Sequence, residues 1–228
     1  MALLGTGALA MWWDMAADMR AEFEDWHTHE HFPERMAIPG FRRGSRWADA
    51  DGGEGFFILY EMESYDTLVS PAYRARLNAP TPWSAKLMPH HRNMVRSQAH
   101  VLESEGGALS RFVLTVRLTP AAGRDADLRK TLHDLAKTVS ARRGTAAGHL
   151  LATETPTLAA TEEQKIRGGD AAADWIFLAC GYERAALEAL AAGELSDAAL
   201  VAAGAKPGAV RGLYALSHTN GADEFAGK

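Results

Sequence analysis

The residues best suited to chemistry lie in one short segment near the start of the chain. Three histidines and five carboxylates fall within residues 22–35. Imidazole has an ordinary pKa near 6.5 and exchanges protons at neutral pH, and a neighbouring carboxylate can orient it. We therefore predict that His31 acts as a general base and that Glu34 or Glu30 orients it.

The same segment has the periodicity of a helix that buries one face. At about 100° per residue, Met19, Phe23 and Trp26 form an apolar stripe, Glu30 falls on that stripe, and His27 lies at its edge. Ionisable groups that face a core are costly unless they are paired. They are therefore either satisfied by each other or kept for chemistry, and the pattern indicates a pocket.

A proline sets the predicted end of this helix. Pro33 disfavours helical geometry in the residue before it, so the helix should end or kink at Phe32. This leaves His31 at the helix end, where its ring is free to point into a cavity. The alternative is a histidine that is stabilised by the helix dipole and has no catalytic role.

The spacing of the histidines also suggests a metal site, but the set of ligands is incomplete. His27, Glu30 and His31 spell the inverted zincin pattern, and histidines at i and i+4 could bind Zn²⁺ from one helix face. However, Pro33 breaks the helix just after the pattern, and no third ligand can be nominated. The histidine pair at 90–91 is a modest signal for haem. We predict a protein with neither a metal nor another cofactor, and keep haem binding as an alternative.

Aromatic and basic residues of the first half could form the walls of a ligand site. Most tryptophans on strands pack in a core, but a few could line a pocket for a flat, apolar ligand, with an arginine holding its carboxylate or phenolate. Residues 76–83 would form a loop over this pocket, or simply an ordered surface turn. The predicted substrate-binding residues are His27, Trp26, Arg43, Arg46, Tyr60, Asn78 and Trp83.

Composition restricts the class of partner. The chain has 228 residues, 47% hydrophobic and 23% charged, which is typical of an ordinary globular protein. A formal net charge of −5 argues against nucleic acid as a partner, because nucleic-acid binding requires a basic face.

The single cysteine, Cys180, excludes an intramolecular disulfide and favours a reducing compartment, so we predict a cytoplasmic protein. No run approaches the ~20 apolar residues of a membrane span.

The order of elements repeats along the chain. Predicted strands lie at 4–13, 42–47, 56–61, 94–102, 111–118, 149–153, 175–181 and 210–217, with helices at 18–31, 65–77, 125–142 and 183–192. Each half reads β-α-β-β-α-β, the ferredoxin-like arrangement, which has helices on one sheet face only. We predict units at 1–103 and 111–220, packed sheet to sheet as a pseudo-dimeric α+β barrel. A homodimer of the whole chain is possible.

The first half carries a recognisable motif. The run Glu30-His31-Phe32-Pro33-Glu34, followed by Pro39-Gly40-Phe41, resembles the dimeric α+β barrel superfamily and, more narrowly, its EthD-like group. The motif match covers residues 20–47, and the remainder matches in element order. The resemblance implies a ligand cavity between sheet and helices, with His31 as the acid/base histidine and Glu34 just beyond the proline.

The resemblance also limits the range of functions. Members include cofactor-independent monooxygenases, lactone isomerases, polyketide cyclases and haem-dependent enzymes, and fold alone does not choose among them. We expect a small-molecule-binding enzyme that isomerises, cyclises or oxygenates an aromatic or lactone-like metabolite. The alternatives are a non-catalytic binding or stress-related protein, and a haem protein. The second half has only His133 at the corresponding helix, so we expect chemistry in the first half.

Overall fold

The computed structural model describes residues 3–107, 109–156, 159–168 and 170–225. The strands are β1 Gly7–Asp14, β2 Phe41–Asp49, β3 Gly55–Met62, β4 Arg92–Gly106, β5 Phe112–Leu118, β6 Thr145–Thr153, β7 Trp175–Gly181 and β8 Val210–Gly221. The α-helices are α1 Arg20–Trp26, α2 Phe32–Met36, α3 Pro71–Leu77, α4 Pro82–Leu87, α5 Asp125–Ala141, α6 Glu162–Arg167, α7 Arg184–Ala192 and α8 Asp197–Ala203. No helix in these ranges combines the length and apolarity needed to span a lipid bilayer.

The strands close into one antiparallel barrel. Its order is β1-β3-β2-β8-β5-β7-β6-β4, so each half contributes four adjacent strands. At the two seams β2 pairs with β8, and β4 pairs with β6. Closure removes the sheet edges that each half alone would leave unpaired. The predicted pseudo-dimeric α+β barrel is confirmed, while the division into units 1–103 and 111–220 stays a prediction.

Alternate residues along each strand face two different cores. In β1, Ala10 and Trp12 face the barrel interior, whereas Met11 and Trp13 face the helices of the first half. This follows from the two-residue period of a strand. The helix-facing core of the first half is unusually aromatic, and its largest buried side chains include Trp26, Tyr60, Tyr73, Phe23, Phe32 and Phe56.

The first helix continues past Pro33, the residue that was predicted to end it or to kink it. After α1, residues His27–His31 form a π-helical turn, and α2 then runs to Met36 with Pro33 in its first turn. The N–H of Phe32 donates to the carbonyl of His27, five residues back. The predicted kink is therefore a local widening of the helix, a feature that is frequent at functional sites.

Other segments also differ from the sequence prediction, among them α8, which follows the helix predicted at 183–192 and was not predicted as a separate helix. Part of the predicted loop at 76–83 begins α4, because the Thr81 hydroxyl caps this helix by accepting from the N–H of Ser84. The helix predicted at 65–77 is split before Pro71 into a 3₁₀ turn and α3. The helix α6, within the long connection from β6 to β7, was not predicted at all.

Close packing of α2 on the sheet requires a glycine at position 44. A Cβ atom on Gly44 would lie 2.4 Å from Cε1 of Phe32 and 2.9 Å from Cε1 of Tyr60. We expect Gly44→Ala to lower the free energy of unfolding by about 1–3 kcal/mol, as measured by urea denaturation. Gly107→Ala is the control, since no described atom lies within 4 Å of its added Cβ. An equal loss in both variants would contradict this prediction.

Candidate functional site

Three buried histidines lie beneath the first helix of the barrel's N-terminal half. His27 and His31 come from the π-helical turn, and His91 directly precedes β4. Their exposed fractions are 1%, 7% and 9%. The rings of His27 and His31 stack with centroids 5.3 Å apart. We refer to His27, His31 and His91 as the histidine cluster.

Aromatic rings enclose the histidine cluster. The ring centroid of Trp26 lies 4.5 Å from that of His31 and 6.0 Å from that of His91. Trp13, on the helix-facing side of β1, lies 4.8 Å from His91 and 6.0 Å from His27. Trp26 therefore neighbours all three imidazoles and Trp13 neighbours two of them, in a site that is shielded from solvent.

Burial lowers the pKa of every member of the cluster. The pKa of His91 falls to about 3, and those of His27 and His31 fall well below the ordinary value. Desolvation of the charged ring is the largest cause, and the guanidinium groups of Arg46, near His27, and Arg35, near His31, lower these pKa values further. At neutral pH the rings are uncharged, so each offers one donor and one acceptor nitrogen.

Several polar atoms of this site are buried without a partner. Nδ1 of His27, Nδ1 of His31 and both ring nitrogens of His91 lack a well-aligned hydrogen bond within the part of the chain that the structure describes, although the Met88 backbone is close enough to act on the His91 pKa. The same holds for the hydroxyl of Tyr60, whose pKa is raised by burial. Buried polar atoms are normally paired, and an unmet one costs about 1–3 kcal/mol. This concentration of unmet groups is more typical of a ligand site than of a core. The four cavities that can be described lie elsewhere in the chain, so a ligand would have to move part of the surrounding aromatic packing to reach the cluster.

A buried ion-pair network flanks the cluster. Arg35 of α2 donates from Nη2 to Oε1 of Glu163 at 2.5 Å, and both side chains are 3% exposed. Arg167 lies 3.6 Å from the same carboxylate and 3.1 Å from that of Asp170. Glu163 and Arg167 belong to α6, so the second half of the chain covers a site built by the first half.

The charge state of the cluster predicts a dependence of stability on pH. Unfolded histidines bind protons below about pH 6.5, whereas the buried ones resist protonation until their lowered pKa is reached. Acid therefore favours the unfolded state in this window. From about pH 6.5 to about pH 5.5 each buried histidine should remove about 1 kcal/mol from the free energy of unfolding, or about 3 kcal/mol for the cluster.

Urea denaturation at several pH values measures this effect. His91→Phe keeps an aromatic ring against Trp13 and should remove about 1 kcal/mol of the change between about pH 6.5 and about pH 5.5, to which the buried His149 also contributes. A free energy of unfolding that stays constant between about pH 6.5 and about pH 5.5 would show that these rings are not held neutral by burial.

The structure brings five of the predicted site residues together. Trp26, His27 and His31 belong to the site, and the ring of Tyr60 is connected to it through Phe32. Arg46 faces the same side of the sheet, where it donates to the carbonyl of Glu24 and to the hydroxyls of Thr28 and Ser217. Arg46 makes no ion pair with any described residue, and burial lowers its pKa.

The two carboxylates predicted to orient His31 are bonded elsewhere. Glu30 accepts a hydrogen bond from the indole of Trp26 at 3.0 Å and another from the hydroxyl of Thr81 at 2.5 Å. Glu34 accepts from an arginine of α3 at 2.7 Å. Within the described residues neither one contacts the His31 ring, so the geometry gives no support to the orienting role. Glu30 and Glu34 instead link the first helix to the start of α4 and to α3.

Three predicted substrate-binding residues lie away from the cluster. Arg43 faces the barrel interior and binds Glu61 through two hydrogen bonds of 2.7 and 2.8 Å. The side-chain oxygen of Asn78 accepts from the N–H of Glu162, at the start of α6. Trp83 donates to a carboxylate of α1 and is only half-buried. These three side chains bond to groups outside the histidine cluster.

The site also contains residues that the sequence analysis did not select. Arg35 follows His27 and His31 at intervals of four, so helical periodicity alone could have placed all three on one face. Glu163 and Arg167 have the same spacing. Their position against α2 could not be read from periodicity, because Arg35 and Glu163 are 128 residues apart.

The site fits neither zinc nor haem. Within the described residues no three histidine, cysteine or acidic side chains converge closely enough to hold a metal ion. His91 offers two unpartnered nitrogens, but the rings of Trp13, Phe23 and Trp26 lie with centroids 4.8, 5.9 and 6.0 Å from its own. These rings occupy the space that a macrocycle beside His91 would need.

Comparison with known proteins supports the fold. No protein-family model matches the sequence, and no curated protein matches it by sequence. An anthrone oxidase-like protein has a similar structure, with a TM-score of 0.65 at 13% identity over 96% of this chain and 94% of that chain.

Two further solved structures agree. A candidate monooxygenase from Fusobacterium nucleatum has a TM-score of 0.61 at 9% identity, covering 96% of each chain. Another from Lactobacillus acidophilus has a TM-score of 0.57 at 12% identity, covering 95% of this chain and 97% of that chain. At such low identity the similarity shows the fold alone: this chain has the dimeric α+β barrel fold. The narrower EthD-like assignment stays a prediction.

Proposed function

We propose that this protein is an enzyme that removes a proton from an activated carbon or phenol of an aromatic or lactone-like small molecule. The observation that carries this proposal is the histidine cluster: buried, neutral imidazoles with unpartnered nitrogens, packed among aromatic rings. A neutral imidazole can accept a proton, and indole rings can pack against a flat substrate. His31, at the end of the π-helical turn, is the proposed base.

The surrounding charges favour an anionic product of that step. Arg35 and Arg46 lower the pKa of His31 and His27, so they weaken each imidazole as a base in the empty site. The same positive charges would stabilise an enolate or phenolate formed beside them. Arg46 has no carboxylate partner among the described residues, and its charge is therefore free to act on a ligand.

Oxygenation is the branch that we favour, because the structural neighbours include an anthrone oxidase-like protein and candidate monooxygenases. The proposed step is R₂CH₂ + O₂ → R₂C=O + H₂O. His31 takes a proton from the methylene carbon, the resulting carbanion is oxidised by O₂, and the O–O bond breaks as water leaves. Dioxygen is the only oxidant required, so the reaction needs no cofactor. If O₂ is not used, the same proton transfer supports isomerisation or cyclisation.

A non-catalytic binding protein is the second candidate. It is favoured by the absence of a contact between His31 and either Glu30 or Glu34 within the described chain, since a base without an orienting partner is poorly prepared for turnover. In that case the aromatic walls would bind a flat ligand without changing it.

Anthrone is a suitable probe for separating the two functions. We expect the purified protein to consume O₂ with anthrone and, without O₂, to exchange deuterium into its methylene carbon. His133→Ala should leave both rates unchanged, because His133 lies in the second half and is bonded to Glu103. Saturable binding of anthrone without exchange or O₂ uptake would favour the binding protein, and a Soret band in the purified protein would favour haem.

A further inference from the structure

A cavity lies against α6, beside Thr161 and Gln164 and away from the residues of α6 that bind Arg35. It has a volume of about 200 Å³ and lies between α3, β4, residues 155–156 and residues 159–164. Arg74 of α3, with Arg96 and Gln98 of β4, lines one side, and the hydroxyl-bearing Thr155 and Thr161 line the other. Arg96 and Gln98 are two residues apart on a strand and therefore share a face.

The charges of this cavity are not balanced. Its described lining contains two guanidinium groups and no carboxylate. Arg74 makes no ion pair or side-chain hydrogen bond to any described residue, and the Arg96 guanidinium donates only to the hydroxyl of Tyr73, at 3.0 Å. In a chain with a net charge of −5, two unpaired cations at one cavity are unexpected, since carboxylates are abundant elsewhere.

We infer that this cavity binds a small anion with a phosphate or carboxylate group. Guanidinium groups bind both through paired, charge-assisted hydrogen bonds. The Thr155 hydroxyl can supply a further donor, whereas the Gln98 amide already donates to the carbonyl of Leu68 and the Thr161 hydroxyl caps α6. The volume suits inorganic phosphate or a short dicarboxylate, because pockets for larger organic ligands span roughly 300–1,000 Å³. The site is separate from the histidine cluster and does not depend on the proposed enzymatic function.

Binding can be measured by calorimetry and by thermal unfolding of the full chain. Sodium phosphate and sodium succinate are compared with sodium chloride at equal ionic strength, which separates specific binding from screening. We expect one or both anions to bind saturably with a Kd of about 1 mM or below and to raise Tm. The anion that binds more tightly identifies the source chemistry.

The variants Arg74→Gln and Arg96→Gln should each weaken binding by about tenfold or more, as the loss of a charge-assisted contact implies. Arg143→Gln makes the same charge change at an exposed arginine outside the cavity and should leave Kd unchanged. If Arg96→Gln impairs folding by releasing Tyr73, Arg74→Gln decides the question alone. The inference is overturned if neither anion binds the wild type saturably, if chloride has the same effect, or if Arg74→Gln binds as tightly as Arg143→Gln.

Discussion

Replacing His31 by glutamine should lower kcat for anthrone oxidation or methylene exchange by about 10²- to 10⁴-fold, the usual contribution of a general base. Glutamine keeps a polar side chain of similar size against Trp26 but cannot take up a proton at neutral pH. Because His31 is buried and uncharged at neutral pH, and its Nδ1 is unpartnered in the described chain, an uncharged polar side chain should preserve the fold. Circular dichroism of the variant checks that the fold is retained.

A neighbouring histidine provides the matched control. His29 lies two residues away in the same π-helical turn, but it is exposed and contacts Asp25. His29→Gln should therefore leave kcat unchanged. If folded His31→Gln turns over normally, His31 is not the base, and the corresponding variants of His27 and His91 then show whether another member of the cluster carries the reaction.

The strand and helix order was predictable because it rests on local signals. The continuous apolar runs of β1 and β3, the alternation along β5 and the helical stripe of Phe23 and Trp26 depend only on neighbouring residues. Pairing of β2 with β8 follows from the need to cover sheet edges once a repeat is recognised. The local pattern did not predict how the helix passes Pro33. A π-helical turn just before this residue lets the helix continue to Met36.

The candidate site was predictable only in part, for a different reason. His27 and His31 share a helix face by spacing, but the partners of Glu30 and Glu34 are determined by where α3 and α4 pack. Arg43 was grouped with Arg46, although residues three apart on a strand face opposite sides, and the structure places Arg43 inside the barrel. The contribution of α6 depends on a contact across 128 residues, which no local pattern encodes.

That contact should dominate the stability of the site. Glu163→Gln removes the carboxylate that binds Arg35 and approaches Arg167, and leaves buried positive charge uncompensated. Breaking a buried ion pair by removing one partner typically costs about 3–5 kcal/mol, and we expect a loss of that size in urea denaturation. Glu162→Gln is the control: it changes the adjacent, exposed carboxylate, whose pair with Lys165 should contribute about 1 kcal/mol or less.

Glu163→Gln should also raise the pKa of His91 in the histidine cluster. If the ion pair affected only its own residues, that pKa would not change. If α6 is held in place by Glu163, its release lets water reach His91 and moves the Arg167 charge away, and both changes raise the His91 pKa from about 3 towards its ordinary value. NMR titration of the His91 ring in Glu163→Gln, compared with Glu162→Gln, measures this shift. A His91 pKa that is equally low in both variants would mean that α6 does not shield the site, even if Glu163→Gln destabilises the protein.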